Sequence, residues 1–128
     1  MSLSVHDAFA RLEDDFHACR LDRIRACYAT PLPVYAKGEI IVLKSDEDVR
    51  DALARHRLAA TEATDFGGDI IDAQIDDNGH GKVTVRFHYD MSDGATRRGL
   101  STYYLDTNAD SGRIVMVDIH EMGLNASS

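Results

Sequence analysis

The stretch SGRIVMVDIHEM, residues 111–122, decides how this chain is interpreted. Val117 and Ile119 alternate with Asp118 and His120, and this period of two predicts a β-strand with one apolar and one polar face. The Ser-Gly pair in front of the strand is typical of a turn that joins it to an earlier strand. The face that carries Asp118 and His120 therefore decides whether they line a pocket or lie on the outside of a sheet.

Three more strands are predicted upstream of this one, all after the glycine pair at 67–68. The turn sequences DDNGHG, SDGA and NADSG separate the strands, and each contains the Gly, Asn or Asp residues that tight hairpins favour. Such short turns predict an antiparallel meander. The four predicted strands cover residues 69–76, 82–91, 96–106 and 113–122.

Two helices and a hairpin are predicted in the first part of the chain. The first helix has apolar residues at spacings of four, three and four, with Ser4 as its expected N-terminal cap. These apolar residues are Val5, Phe9, Leu12 and Phe16. A second, short helix runs from about Leu21 to Tyr28, and the prolines that follow it end the helical geometry. The stretch VYAKGEIIVL then predicts two short strands that turn at Lys37-Gly38.

The segment SDEDVRDALARHRLAATEAT, residues 45–64, has the strongest helical pattern. Ser45 and three acids stand at its start, where a capping hydroxyl and negative charge both stabilise a helix. The inward stripe of this helix consists of Val49, Leu53, His56 and Ala60. The glycines at 67–68 are predicted to end the segment. The order of elements predicts an α+β fold with helices packed on one face of a curved antiparallel sheet.

Composition and charge restrict the class of partner. The chain has 128 residues, 44% of them hydrophobic, which fits a single soluble domain over residues 1–128. Its 22 acidic and 14 basic residues give a net charge of −8, so neither nucleic acid nor a membrane surface is expected as a partner. Cys19 and Cys27 fit neither a zinc spacing nor a disulfide scaffold. We therefore expect free thiols in the cytoplasm, with no metal and no cofactor.

The order of elements, together with the SGRIVMVDIHEM ending, resembles the nuclear-transport-factor-2-like superfamily, also called SnoaL-like or cystatin-like. The resemblance covers essentially the whole chain. It implies a cone-shaped, curved antiparallel sheet with three helices packed on its concave face, around an apolar pocket. It also implies homodimers, which are common in that superfamily. Its members include isomerases, dehydratases, cyclases and non-enzymatic domains, so this resemblance does not decide the function.

Hairpin geometry predicts which side chains share the inner face of the sheet. If the Asp-Gly of SDGA forms a two-residue loop, Phe87 pairs with Leu100 and Val85 pairs with Thr102. Tyr104 then lies on the same apolar face, because side chains alternate along a strand. A shift of one residue would send all of these side chains to the opposite face.

The last hairpin decides where the acid and the histidine lie. A loop of four residues places Val117 and Ile119 on the apolar face, and Asp118 and His120 on the polar outer face. There the pair is expected to contact solvent or a second subunit. A loop of five residues would instead turn the pair inward as candidate catalytic groups. A metal site with His88 on the outer face is a further alternative.

The polar residues predicted on the inner face form the candidate site. A buried imidazole or carboxyl has a pKa shifted toward the range useful for proton transfer, and a tyrosine hydroxyl can stabilise an enolate. The predicted catalytic residues are His56, Tyr104 and Glu121, with Tyr89 as an alternative to Tyr104. The predicted ligand-binding residues are Tyr35, Phe87, Tyr89, Thr102 and Val117.

Three function classes follow from this pattern. The first is a domain that binds a small, largely apolar molecule and forms a homodimer through the outer face of its sheet. The second is an enzyme that transfers protons on a carbonyl compound, as an isomerase, dehydratase or cyclase. The residues that the resemblance requires for ketosteroid isomerisation are absent, because the first helix has phenylalanines but no tyrosine, and ATPLPVYAKGE has no aspartate. The third class is a non-catalytic interaction module.

Overall fold

The computed structural model of the chain describes residues 5–106 and 113–121. In this part of the chain, three helices and six strands form an α+β fold. The helices are α1 (Val5–His17), α2 (Leu21–Arg25) and α3 (Asp46–Ala60). The strands are β1 (Leu32–Ala36), β2 (Glu39–Leu43), β3 (Ala63–Ile75), β4 (His80–Met91), β5 (Thr96–Asp106) and β6 (Arg113–Glu121). Within these residues, no helix combines the length and the apolar character needed to cross a membrane.

All six strands belong to one sheet with the order β2-β1-β6-β5-β4-β3. The predicted meander is confirmed, because β3 to β6 pair antiparallel in sequence order. The prediction of a wholly antiparallel sheet is wrong for one pair of strands. Strand β1 pairs parallel with β6, with Val34 opposite Val117 and Ala36 opposite Ile119. The sheet is therefore mixed, and the last strand lies between the first hairpin and the meander.

The helices cover one face of the sheet, which we call the inner face. The main core cluster is built on Leu32, Val49, Ile114 and Val117. Phe9 and Leu12 of α1 and Leu53 of α3 pack against it, so the predicted apolar stripes of both helices do face the sheet. A second cluster forms around Ala60 and Tyr89 near the ends of α1 and α3.

The start of α3 follows the predicted capping pattern. Ser45 has an extended backbone, and its side-chain oxygen accepts a hydrogen bond of 3.2 Å from the Asp48 amide. The predicted end of this segment is wrong, because α3 ends at Ala60 and the glycines at 67–68 lie inside β3. A Cβ on Gly68 would lie 3.0 Å from the side chains of Phe87 and Val85, so this position needs glycine for packing.

The β1–β2 and β4–β5 hairpins differ in their turns. At the first, Lys37 and Gly38 both have positive φ, as a two-residue loop of the predicted kind requires. At the second, the Met91 amide bonds to the Ala95 carbonyl and only Gly94 has positive φ among the loop residues. The loop thus has three residues, and the two-residue loop predicted from SDGA is wrong. The loop of the last hairpin lies outside the described residues.

The longer loop moves the whole of β5 by one residue relative to the prediction. Phe87 pairs with Gly99, and Val85 pairs with Ser101. Tyr103 therefore lies on the inner face with Val85, whereas the sequence analysis placed Thr102 and Tyr104 on that face.

Candidate functional site

A cavity of about 300 Å³ lies between the inner face of the sheet and the helices α1 and α3. This volume is at the lower end of the range of small-molecule pockets. Most of the wall is apolar. The side chains that form this apolar part include Phe9, Leu12, Phe16, Leu53, Val85 and Phe87.

A histidine and a tyrosine form a hydrogen-bonded pair in this apolar wall. The Nε2 atom of His56 lies 3.2 Å from the hydroxyl oxygen of Tyr89. Either the hydroxyl donates to Nε2, or a proton on Nε2 is donated to the hydroxyl oxygen, depending on the tautomer. Helix α3 positions His56 one turn after Leu53, and β4 positions Tyr89 two residues after Phe87. The pair therefore stands on two regular elements rather than on loops.

Burial keeps both members of this pair uncharged. Removal from water lowers the pKa of the His56 imidazole, because the charged form loses its hydration. The same effect raises the pKa of Tyr89 to about 12. At neutral pH the cavity thus holds a neutral imidazole, which can accept a proton, and a neutral phenol, which can donate a hydrogen bond.

Two more tyrosines line the cavity beside this pair. Burial raises the pKa of Tyr28 and that of Tyr103, and the neighbouring phenol Tyr28 adds to the effect on Tyr103. The Phe9 ring packs edge-on against Tyr103, with ring centroids 5.4 Å apart. Sequence reasoning missed Tyr103, since the register prediction had placed its neighbours Thr102 and Tyr104 on the inner face.

The rim of the cavity is acidic. Glu13 on α1 accepts a hydrogen bond of 3.3 Å from the Gly68 amide of the edge strand β3. A Cβ on Gly67 would lie 2.9 Å from the same carboxylate oxygen, so the absence of a side chain lets α1 approach the strand. Asp69 also lines the cavity. This rim opposes the entry of anionic molecules.

Arg57 holds the end of α1 over the cavity. Its Nε and Nη2 atoms donate to the carbonyls of Phe16 and His17, at 2.7 Å and 3.0 Å. Its guanidinium also lies over the rings of Phe16 and Phe66, 5.7 Å and 5.4 Å from their centroids. These contacts satisfy carbonyls at the end of α1 that have no partner within the helix.

A second cavity of about 210 Å³ shares part of this wall. His56, Tyr89 and Tyr103 line both cavities. Val117 and Glu121 line only the second one, so these two predicted site residues are separated from the larger cavity. Glu121 is exposed at the end of β6.

Comparison with known proteins gives a likeness at the level of structure only. Neither a family model nor a curated protein matches the sequence. An NTF-2 like protein of unknown function from Shewanella oneidensis MR-1 is similar over 91% of this chain and 98% of that chain, with a TM-score of 0.69 and 16% identity. A domain of unknown function with a cystatin-like fold from Nostoc punctiforme gives a TM-score of 0.70 at 13% identity, over 94% and 80% of the two chains.

Aln2 from a Streptomyces species is also similar, with a TM-score of 0.70 and 13% identity over 91% of this chain and 87% of that chain. The chain has the nuclear-transport-factor-2-like fold. The resemblance drawn from element order is thereby confirmed. At these identities the likeness establishes the fold and carries no information on a ligand or a reaction.

The nuclear-transport-factor-2-like fold brings together only some of the predicted site residues. His56, Phe87 and Tyr89 all line the larger cavity, as their inward positions predicted. Tyr104 and Thr102 do not, because the three-residue loop turns them to the outer face. Thr102 is nevertheless buried on that face, and its hydroxyl lies 3.1 Å from the hydroxyl of Thr84.

Tyr35 also lies on the outer face and lines neither cavity described above. Its neighbour Val34 packs into the core, so alternation along β1 turns Tyr35 outward. Its side chain is 37% exposed. The prediction that Tyr35 reaches into the pocket is therefore wrong in its geometry.

The acid and the histidine of the last strand lie on the outer face, as predicted. The predicted strand pairing is wrong, because Thr102, predicted on the inner face, lies opposite Asp118 and shares the outer face with it. Val117 and Ile119 pack into the core, while Asp118 pairs with Thr102 in the sheet. His120 Nε2 lies 2.9 Å from the Thr102 hydroxyl, and its Nδ1 atom lies 4.0 Å from Asp118. These two residues thus lie outside the cavity.

A cluster of metal-ligating side chains occurs elsewhere on the outer face. Donor atoms of Asp65, His88 and Asp90 all lie within 4.8 Å of one another. Sequence reasoning had considered His88 with His120, and missed Asp65 because β3 was predicted to begin after it. This cluster does not line the larger cavity.

Proposed function

We propose that this chain is a cytoplasmic small-molecule-binding domain whose ligand occupies the larger cavity. The observation that carries the proposal is an apolar cavity of about 300 Å³ with a hydrogen-bonding pair, His56 and Tyr89, in its wall. Ligand pockets typically combine such an apolar lining with a few convergent polar groups. The free thiols Cys19 and Cys27 agree with a reducing compartment.

The class of ligand follows from the lining and the rim. Because the wall is largely apolar and its hydrogen-bonded pair, His56 and Tyr89, is uncharged at neutral pH, the ligand is a small, mostly apolar molecule without net charge. The acidic rim residues Glu13 and Asp69, and the net charge of −8, disfavour anions.

Binding of a neutral, environment-sensitive fluorophore tests the proposal. Leu53→Trp places a larger side chain in the cavity wall and should weaken binding by about tenfold or more, because the added volume occupies the ligand's space. Leu58→Trp is the matched control, since Leu58 lies on the same helix and is 71% exposed. Equal binding by both variants would show that the dye does not enter the cavity. Failure of the wild-type chain to bind a panel of neutral dyes would favour an interaction module instead.

A second candidate function is proton transfer on a carbonyl compound held in the same cavity. The distance of 3.2 Å between His56 and Tyr89 favours it. A neutral imidazole can remove a proton next to a carbonyl, while the phenol hydrogen-bonds the enolate oxygen that forms. In this mechanism Tyr89 takes the role for which Tyr104 was also considered, because Tyr89 lines the cavity and Tyr104 does not.

Exchange of carbon-bound protons tests this candidate. In D₂O, the wild-type chain should catalyse deuterium incorporation next to the carbonyl of small apolar ketones, as followed by NMR. His56→Gln should remove the activity, and Tyr89→Phe should lower it by about tenfold to a hundredfold. Exchange that survives in His56→Gln would exclude His56 as the base. If the chain bound the dye but catalysed no deuterium exchange, ligand binding would be the supported function and proton transfer would not.

We also propose that two copies of the chain associate through the outer face. Strand pairing places Tyr35 opposite Ile40 and Pro33 opposite Val42, and these four residues form an outer apolar patch. Ile40 is 61% exposed and Val42 is 47% exposed, which is unusual for neighbouring apolar side chains of a monomer. A second copy of the same face would bury this patch.

Sedimentation velocity tests the association. Ile40→Asp should convert a dimer into a monomer, because it places a charge in the outer apolar patch. Ile75→Asp is the control, since Ile75 is 49% exposed on β3, the strand at the other edge of the sheet. A monomeric wild-type chain, or a dimer that Ile40→Asp leaves intact, would contradict the proposal.

A further inference from the structure

The cluster on the outer face at the other edge of the sheet has a defined geometry. Asp90 and His88 lie two residues apart on β4 and so point to the same side, while Asp65 approaches them from the edge strand β3. The Nε2 atom of His88 lies 4.0 Å from an Asp65 carboxylate oxygen. All three donor groups lie within 4.8 Å of one another.

A bulge in β3 brings Asp65 to this position. Ala63 pairs with Met91, and Asp65 pairs with Asp90, so one extra residue stands between these two pairs. The Thr64 side chain bonds to the Asp90 carbonyl at 2.9 Å and fixes the bulge. Such bulges re-aim a side chain that regular alternation would place elsewhere.

The strand opposite His88 has no side chain where one would interfere. Gly67 pairs with His88, and a Cβ on Gly67 would lie 3.0 Å from Cε1 and 3.5 Å from Nε2 of the imidazole. The bare backbone at Gly67 therefore lets the ring lie across β3 with Nε2 near Asp65. A side chain at position 67 would force the imidazole away from the two carboxylates.

The charges of the cluster are unbalanced. Asp65 and Asp90 form a direct cross-strand pair of like charges, which destabilises a sheet. Within residues 5–106 and 113–121, the only basic side chain that pairs with either carboxylate is His88. Asp90 is oriented by a hydrogen bond of 3.1 Å from the Thr96 hydroxyl. A bound cation would relieve the repulsion between the two carboxylates.

We propose that Asp65, His88 and Asp90 bind a divalent transition-metal ion, with Zn²⁺ as its representative. An imidazole nitrogen and two carboxylate oxygens suit zinc, whereas Ca²⁺ and Mg²⁺ prefer oxygen ligands alone. Ligands of one zinc ion lie about 3 to 4 Å apart, so small side-chain rotations close the present separations. The ion ties the edge strand β3 to β4 directly before Phe66, which lines the larger cavity.

Titration calorimetry with zinc chloride alone tests the site. The experiment uses a Cys19→Ser background, because Cys19 is an exposed thiol that could bind zinc itself. The background protein should bind one Zn²⁺ that is lost, or weakened by about tenfold or more, in His88→Gln and in Asp90→Asn. Zinc should raise the Tm of the background protein and not that of His88→Gln.

A second histidine provides a closely matched control. His120 has the same side-chain exposure as His88, 42%, and lies the same 4.0 Å from an aspartate, Asp118. His120→Gln should leave zinc binding unchanged. Equal losses in both histidine variants would mean that zinc binds exposed histidines in general, and this result would overturn the proposal. So would binding of Ca²⁺ as tight as that of Zn²⁺ and insensitive to His88→Gln, which would indicate attraction to the acidic surface only.

The metal-free protein gives an independent check that does not depend on folding of the weakened variants. Asp65→Asn removes the like-charge repulsion, so it should raise the Tm without zinc and abolish the increase that zinc produces. A lower Tm for metal-free Asp65→Asn would show that the carboxylate is held by favourable contacts already, and would argue against a site that needs a cation.

Discussion

On each side of the sheet a histidine is hydrogen-bonded to a hydroxyl group of the sheet, and the two pairs differ most in their surroundings. His56 lies 3.2 Å from the Tyr89 hydroxyl inside the cavity, and His120 lies 2.9 Å from the Thr102 hydroxyl on the outer face. The inner pair is enclosed by aromatic side chains and its histidine has a lowered pKa. The outer histidine keeps 42% of its side chain exposed, next to Asp118.

The difference shows why side-chain identity alone is a poor guide to a site. The outer pair has the shorter hydrogen bond. Its histidine also lies two residues from Asp118, and in the sequence alone this spacing resembles an acid–base site. The inner pair has neither, yet it stands in a cavity that can exclude water and hold a molecule. Proton transfer benefits from a dry, enclosed site more than from a neighbouring charge in water.

The largest expected effect is on stability, and it tests whether the two faces differ as described. Val83→Asp places a charge at a fully buried inner position and should lower the free energy of unfolding by about 4 kcal/mol or more. Lys82→Asp, one residue earlier and exposed, should cost less than about 1 kcal/mol. Chemical denaturation followed by circular dichroism measures both. Similar losses in the two variants would mean that the face assignment of β4 is incorrect.

Removal of the hydroxyl from each histidine pair sharpens the comparison. Tyr89→Phe leaves a buried imidazole nitrogen without its partner and should cost about 1–3 kcal/mol. Thr102→Val removes bonds to His120 and Thr84 and should cost about 1 kcal/mol or less, because His120 is exposed and Thr84 is half-buried, so both can bond to water instead. Denaturation of the two variants side by side is the measurement. A larger cost for Thr102→Val would show that the outer pair is the structurally important one.

The smallest expected effect concerns pH. Because burial lowers the pKa of His56, the unfolded chain binds more protons than the folded chain once the pH falls below about 6.5, the ordinary histidine value. His56 should therefore contribute a loss of stability as the pH falls from about 7 toward 5, with a slope of at most about 1.4 kcal/mol per pH unit. His56→Gln should show a weaker dependence over this range. If His56→Gln and the wild-type chain showed the same pH dependence of stability, protonation of His56 would not destabilise the folded protein.

The order of elements was predictable because each element has a local signal. Ser45 caps α3, Lys37-Gly38 forms the first tight turn, and alternation marks β6. The parallel pairing of β1 with β6 was not predicted, because strands so far apart in sequence have no local signal that specifies their pairing. Gly67 and Gly68 have the composition of a loop, yet packing against α1 and β4 places them inside a strand.

The site was predicted only in part, and for Thr102 and Tyr104 the reason lies in one turn. An Asp-Gly pair is compatible with a two-residue loop and with a three-residue loop whose last residue is a glycine with positive φ, and the chain uses the second. That single residue exchanged Tyr104 for Tyr103 on the inner face. His56 did not depend on strand register, because its position follows from the period of α3, and it was placed correctly.

The central position of β6 has a consequence for the folding pathway. Strand β1 is made early, but its parallel partner is the last strand of the meander, and the paired residues Val34 and Val117 are 83 positions apart in the sequence. The first hairpin must therefore wait for β6 before it can join the sheet, and the edge of β1 that pairs with β6 lacks its partner in the meantime. Such long-range pairing slows folding and exposes strand edges to wrong partners. Strand β6 thus completes the sheet.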